Sequence, residues 1–88
     1  MDERYERLRA HLLEAIAQHE RGDLDDAALR GYVRDMFGAV DQSRKKEREA
    51  LFEADVTLEL VMDGVLVDPE QNAHRLKRMR RNLREVMQ

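Results

Sequence analysis

The chain reads as an all-α protein, an antiparallel bundle of three or four helices, on three observations. Charged residues make up 40% of its 88 positions, with one proline and four glycines, a composition suited to long solvated helices. Apolar side chains recur at three- and four-residue steps through most of the sequence. Strand-like alternation occurs in one place only, just ahead of an Asp-Gly pair. The expected helices cover about residues 3–21, 24–38, 42–64 and 69–87, within a single small domain spanning 1–88.

The first helix is marked by Tyr5, Leu8, Leu12, Ala15, Ile16 and His19, with Leu13 widening the stripe. Gly22 is placed to end it, because glycine enters the left-handed conformation at little cost. Asp23 is the expected N-cap of the next segment, with Asp25 and Asp26 at its positive dipole end. That second segment carries Ala28, Leu29, Tyr32, Val33, Met36, Phe37 and Val40 at helical spacing. Gly31 and Gly38 weaken it by about 1 kcal/mol each relative to alanine.

Residues 41–49, DQSRKKERE, hold no apolar side chain, so nothing in them is expected to enter a core. A break near Gly38–Ser43 is the preferred reading. The alternative fuses the middle two helices into one long central helix, which would leave seams uncovered and require a dimer.

The third helix follows Ala50, Leu51, Ala54, Leu58, Val61, Met62 and Val65. Its end, VTLELVMDGVLV (residues 56–67), also resembles a β-hairpin, since Asp-Gly after alternating apolar residues favours a tight reversal. A lone hairpin is marginal in water, and the sequence offers no third strand. The helical reading, with Gly64 just past the helix end and Val65 packing back, explains the same letters. The fourth helix begins at a sharp signal: Asp68 as cap, Pro69 in the first turn and Gln71 at the capping-box position. From there Ala73, Leu76, Met79, Leu83 and Val86 form a narrow seam, of the kind found in coiled coils and at bundle edges.

Charge is unevenly distributed. Residues 1–68 hold 17 acids and 10 bases, a balance of −7, whereas residues 69–88 hold 2 acids and 6 bases, a balance of +4. The bases lie in HRLKRMRRNLR, where Arg75, Lys77, Arg78, Arg80, Arg81 and Arg84 surround the apolar seam. Such a helix either neutralises the acidic body of its own chain or a partner, or displaces counterions from nucleic-acid phosphates. A helix-turn-helix is a poor fit, because the segment after Gly38 brings no inward apolar residue where the motif needs one.

Catalytic chemistry finds little support. With no cysteine, disulfides, thiolate metal sites and cysteine nucleophiles are excluded. Ser43 and Thr57 are the only hydroxyl residues besides the tyrosines, and neither sits in a glycine-framed elbow. His11, His19 and His74 lack the Glu-x-x-His pattern of di-metal bundles. The four glycines are dispersed rather than gathered in a phosphate-binding loop. No enzyme activity, metal or cofactor is therefore expected.

Apolar runs reach only about four residues against the roughly 20 that cross a bilayer, and MDERYERLR has no apolar signal core. A cytoplasmic protein without membrane association is the expectation. Function is expected to lie in non-enzymatic protein interaction or regulation through helix–helix contacts, as a homodimer or with another protein. Leu58, Met62, Leu76, Met79 and Leu83 are the candidate interface seam, with Tyr32 and Phe37 as possible aromatic anchors. Nucleic-acid binding through residues 74–84 is the alternative.

Overall fold

The computed structural model describes residues 2–88. Over them the chain forms four helices, α1 (Glu3–Glu20), α2 (Asp26–Ala39), α3 (Lys45–Met62) and α4 (Pro69–Met87), and no strand. Consecutive helices pack against each other, and α4 returns to α1, closing the bundle; this closing contact is the least extensive of the four. The middle two helices are separate, so the long central helix does not form.

Local chemistry sets each boundary. Asp2 accepts a hydrogen bond from the Arg4 amide, Asp25 from Ala28, and Asp68 from Glu70 and Gln71. The expected cap Asp23 is corrected to Asp25: α2 starts at Asp26, and the Asp23 carboxylate instead accepts from Arg21 Nε at 3.3 Å; the Asp23 amide belongs to the end of α1. There Gly22 takes φ 83°, its amide donates to His19 O (3.1 Å), and Asp23 donates to Gln18 O (2.8 Å). These are the paired bonds of a Schellman motif.

The end of α3 repeats that motif. Gly64 takes φ 71°, its amide donates to Val61 O (3.2 Å), and Val65 donates to Leu60 O (3.2 Å). VTLELVMDGVLV is thus a helix end rather than a hairpin. One detail differs from expectation: Val65 does not pack back but stays 63% exposed. Leu66 turns inward instead, its carbonyl accepting a 2.6 Å bond from Asn72 Nδ2.

The polar stretch 41–49 also contributes more than expected. The Arg44 guanidinium lies 4.4 Å from the centre of the Tyr5 ring, and Arg48 lies 4.2 Å from that of Phe37. Arg48 further donates to the Val40 carbonyl at 2.8 Å. Two arginines therefore cap that end of the bundle by stacking, which a count of apolar letters cannot register.

The core gathers Leu12, Ala15 and Ile16 from α1, Leu29, Val33 and Met36 from α2, Leu51, Ala54 and Leu58 from α3, and Met79, Leu83 and Met87 from α4. On α4 the buried line is Met79–Leu83–Met87, with Leu76 and Val86 packed at its edges and Ala73 exposed. Among the described residues, no helix is long and apolar enough to cross a membrane.

Candidate functional site

Two regions of the bundle carry unusual chemistry, the α1/α4 seam with the basic face beside it and the groove between α2 and α3. The six cations of α4 fall on different sides of that helix. Arg80 and Arg84 point toward α1. Arg84 grips Glu20 with two hydrogen bonds, 3.0 and 3.1 Å. These bonds and the Arg84 charge hold the Glu20 carboxyl below its ordinary range.

Arg80 reaches the buried imidazole of His19. Its Nη1 lies 3.0 Å from Nδ1, while His19 Nε2 lies 2.7 Å from Asp26 Oδ1. A guanidinium only donates and a carboxylate only accepts, so this geometry selects the neutral tautomer carrying its proton on Nε2. Asp26, His19 and Arg80 thus form a relay joining the start of α2, the end of α1 and the middle of α4. Arg80 Nε is buried with no hydrogen-bond partner among the described residues, although Glu20 Oε2 lies 4.0 Å away. Farther down the seam, Arg9 donates to the Met87 carbonyl.

The remaining cations face elsewhere. Arg75 is half-buried toward α3 and donates to Asn72 Oδ1 at 3.2 Å. Lys77, Arg78 and Arg81 are exposed, and none forms an ion pair among the described residues. The basic segment is therefore divided between two arginines engaged with α1, Arg75 turned toward α3, and an outward set free to meet an anion.

The candidate apolar seam divides too. Leu58, Met79 and Leu83 are buried in the chain's own core, and Leu76 packs against it. Met62 is 43% exposed, near Val65 and Val67 at the α3–α4 connection.

An apolar opening lies between α2 and α3. Val33 and Phe37 of α2 and Leu51 and Phe52 of α3 line a groove of about 280 Å³, with Arg34 and Asp55 at its rim. Phe52 is 59% exposed, unusual for a side chain that is aromatic and wholly apolar. Under the rim, Asp55 receives Arg30 Nε at 2.7 Å and Arg34 Nε at 3.1 Å. Burial pushes the Asp55 carboxyl up, but the Arg30 bond and the two positive charges outweigh it and leave it below the usual range.

At the arginine-capped end, burial and a 2.8 Å hydrogen bond to Glu47 push the Tyr5 hydroxyl up. Among the described residues, no three His, Asp or Glu side chains converge as metal ligands would. Sequence reasoning passed over Phe52 and the bridging role of His19. Phe52 left one available signal, an aromatic outside the three–four periodicity of its helix. No known protein family, curated protein or solved structure matches the chain.

Proposed function

We propose that this is a non-enzymatic interaction protein that self-associates through the α2/α3 face as a homodimer. The observation carrying this reading is the exposed Phe52 at the mouth of the Val33/Phe37/Leu51 groove. A groove between two helices accepts apolar side chains from another helix. This face offers both a protruding aromatic and a receiving hollow, with a cation and an anion at the rim. Such a patch is self-complementary, as a two-fold interface requires. Exposed aromatics of this kind are also the usual energetic anchors of interfaces.

Sedimentation equilibrium at micromolar concentrations tests the reading. The wild-type chain is expected to dimerise, and Phe52→Glu to be monomeric with unchanged helicity, because the side chain is largely outside the fold. A wild-type chain that stays monomeric at high concentration would overturn self-association. A Phe52→Glu chain that dimerises normally would overturn this face as its site.

A further inference from the structure

We infer that the outward face of α4 is a phosphate-backbone contact for double-stranded nucleic acid, formed by Lys77, Arg78 and Arg81 with Arg75 at its edge. This surface is separate from the α2/α3 groove and does not depend on self-association. The segment from Gln71 to Arg84 contains no acidic residue. Of its six cations, Arg80 and Arg84 are spent on His19 and Glu20. Glu20, the acid nearest that edge of α4, directs its oxygens at Arg84 and Arg80, and its charge reaches Lys77 of the outward set but makes no ion pair with it among the described residues.

At 100° per residue, positions 74, 78 and 81 fall on nearly one line, with 77 beside it. His74, Lys77, Arg78 and Arg81 are all exposed. Gln71, His74, Arg75 and Arg78 together line a shallow hollow that holds no carboxylate. The nearest acid on the α3 side, Glu53, borders a neighbouring hollow with Arg78 but makes no ion pair with it among the described residues. Positive charge therefore stands in one stripe along a rigid element, bounded on the same face by Glu70 one turn before His74 and by Glu85 one turn after Arg81.

The ligand class follows from what accompanies those charges. Residues 69–88 include no Phe, Tyr or Trp, and His74 is their single aromatic ring, so α4 lacks the row of stacking platforms that single-stranded binders use. An α-helix matches the width of a duplex major groove. One side of α4 is committed to the bundle, as it is in recognition helices that enter that groove, and what its outer stripe presents is a row of cations suited to the sugar–phosphate edge. Contacts of that kind position a protein without reading sequence. The expected binding is weak, sequence-blind and steeply salt-dependent.

Three phosphate contacts predict a slope of about −2.7 in log K against log salt, or a roughly fortyfold loss between about 50 and 200 mM salt. Fluorescence anisotropy with a labelled mixed-sequence duplex measures it, alongside the corresponding single strand and a polyglutamate peptide. The Lys77→Gln/Arg78→Gln/Arg81→Gln chain should lose duplex binding at the lowest salt. Arg84→Gln, checked for retained helicity, should keep binding within about twofold, since that cation already serves Glu20. Four outcomes would overturn the inference: no duplex binding by the wild type at low salt, a triple variant that binds normally, tighter binding to the single strand, or tighter binding to polyglutamate. Scrambling the duplex sequence should leave the affinity unchanged, and a strong preference among sequences would also count against it.

Discussion

The two long sides of this bundle are held by different forces. Between α2 and α3, apolar side chains meet around Val33 and Leu51, and the Arg30–Asp55 pair reinforces the contact from the flank. Between α1 and α4 the approach is less extensive, and long polar side chains span it: Arg80 to His19, Arg84 to Glu20, Arg9 to the Met87 carbonyl. The α2/α3 side has apolar surface in excess and leaves Phe52 outside. The α1/α4 side has positive charge in excess and leaves Lys77, Arg78 and Arg81 outside. Each side's surplus is what is available for binding.

The comparison is broken most strongly in the core beneath each side. Leu83 and Leu51 are both fully buried, but Leu51 also borders the open groove. Replacing a buried leucine with alanine costs about 2–5 kcal/mol, depending on how far the site can relax or fill. Leu83→Ala should fall in the upper half of that range and Leu51→Ala in the lower half, by urea denaturation. Equal losses would mean that the groove does not relieve the cavity.

The next largest effect concerns His19. Alanine there removes a buried ring and leaves Arg80 Nη1 without its acceptor, beside an Nε that is already unpartnered. Stranding a buried polar group typically costs about 1–3 kcal/mol, so His19→Ala should cost on the order of 2 kcal/mol or more. The double variant His19→Ala/Arg80→Met should recover part of the loss, since it removes the stranded donor. If the double variant is as unstable as the sum of the two single variants, the relay is not the unit described.

Asp55 and Glu20 are the acids that anchor the two sides, and acid should weaken both. Each carboxyl is held below its ordinary value in the folded chain. The unfolded chain therefore takes up protons first as pH falls. The stability these groups supply is complete above about pH 4 and is lost as pH drops through their lower folded values. Asp55→Asn should cost about 1–2 kcal/mol at neutral pH, and its gap from wild type should close below about pH 4. Glu20 is half-exposed, so Glu20→Gln should have a smaller effect that salt erodes further. A salt-insensitive Glu20 and a salt-sensitive Asp55 would reverse the distinction drawn between the two sides.

Much of this architecture can be read from the letters, because helix boundaries are local events. Asp68-Pro69, Gly22 and Gly64 act within a few residues of themselves, and the apolar periodicity fixes the inward faces of α1 and α2. What the letters conceal depends on distance across the fold. Arg44 and Arg48 become packing residues only because Tyr5 and Phe37 lie opposite. The basic segment appears uniform in sequence, yet a helical turn decides that Arg80 and Arg84 meet α1 while Arg78 and Arg81 do not. Phe52 is exposed because its position falls on the flank of α3, one residue beyond the inward-facing Leu51.

The smallest expected effect is also the most diagnostic of what the α4 surface is for. Lys77 and Arg81 are four residues apart, and Arg78 and Arg81 three apart, so like charges are neighbours along an exposed face, offset in part by Glu85 four residues beyond Arg81. Such pairs destabilise a helix by about 0.2–0.5 kcal/mol each, and glutamine has nearly the helix propensity of lysine or arginine. Lys77→Gln/Arg78→Gln/Arg81→Gln should therefore leave stability unchanged or raise it by a few tenths of a kcal/mol in low salt, with the gain fading as salt screens the repulsion. Thermal melts at two salt concentrations check this. A clear loss of stability would mean that these cations hold the fold together, as Arg80 and Arg84 do. A favourable change would mean that α4 carries them against its own stability, and a neutral one that the fold has no need of them; in either case their use must be sought outside the chain.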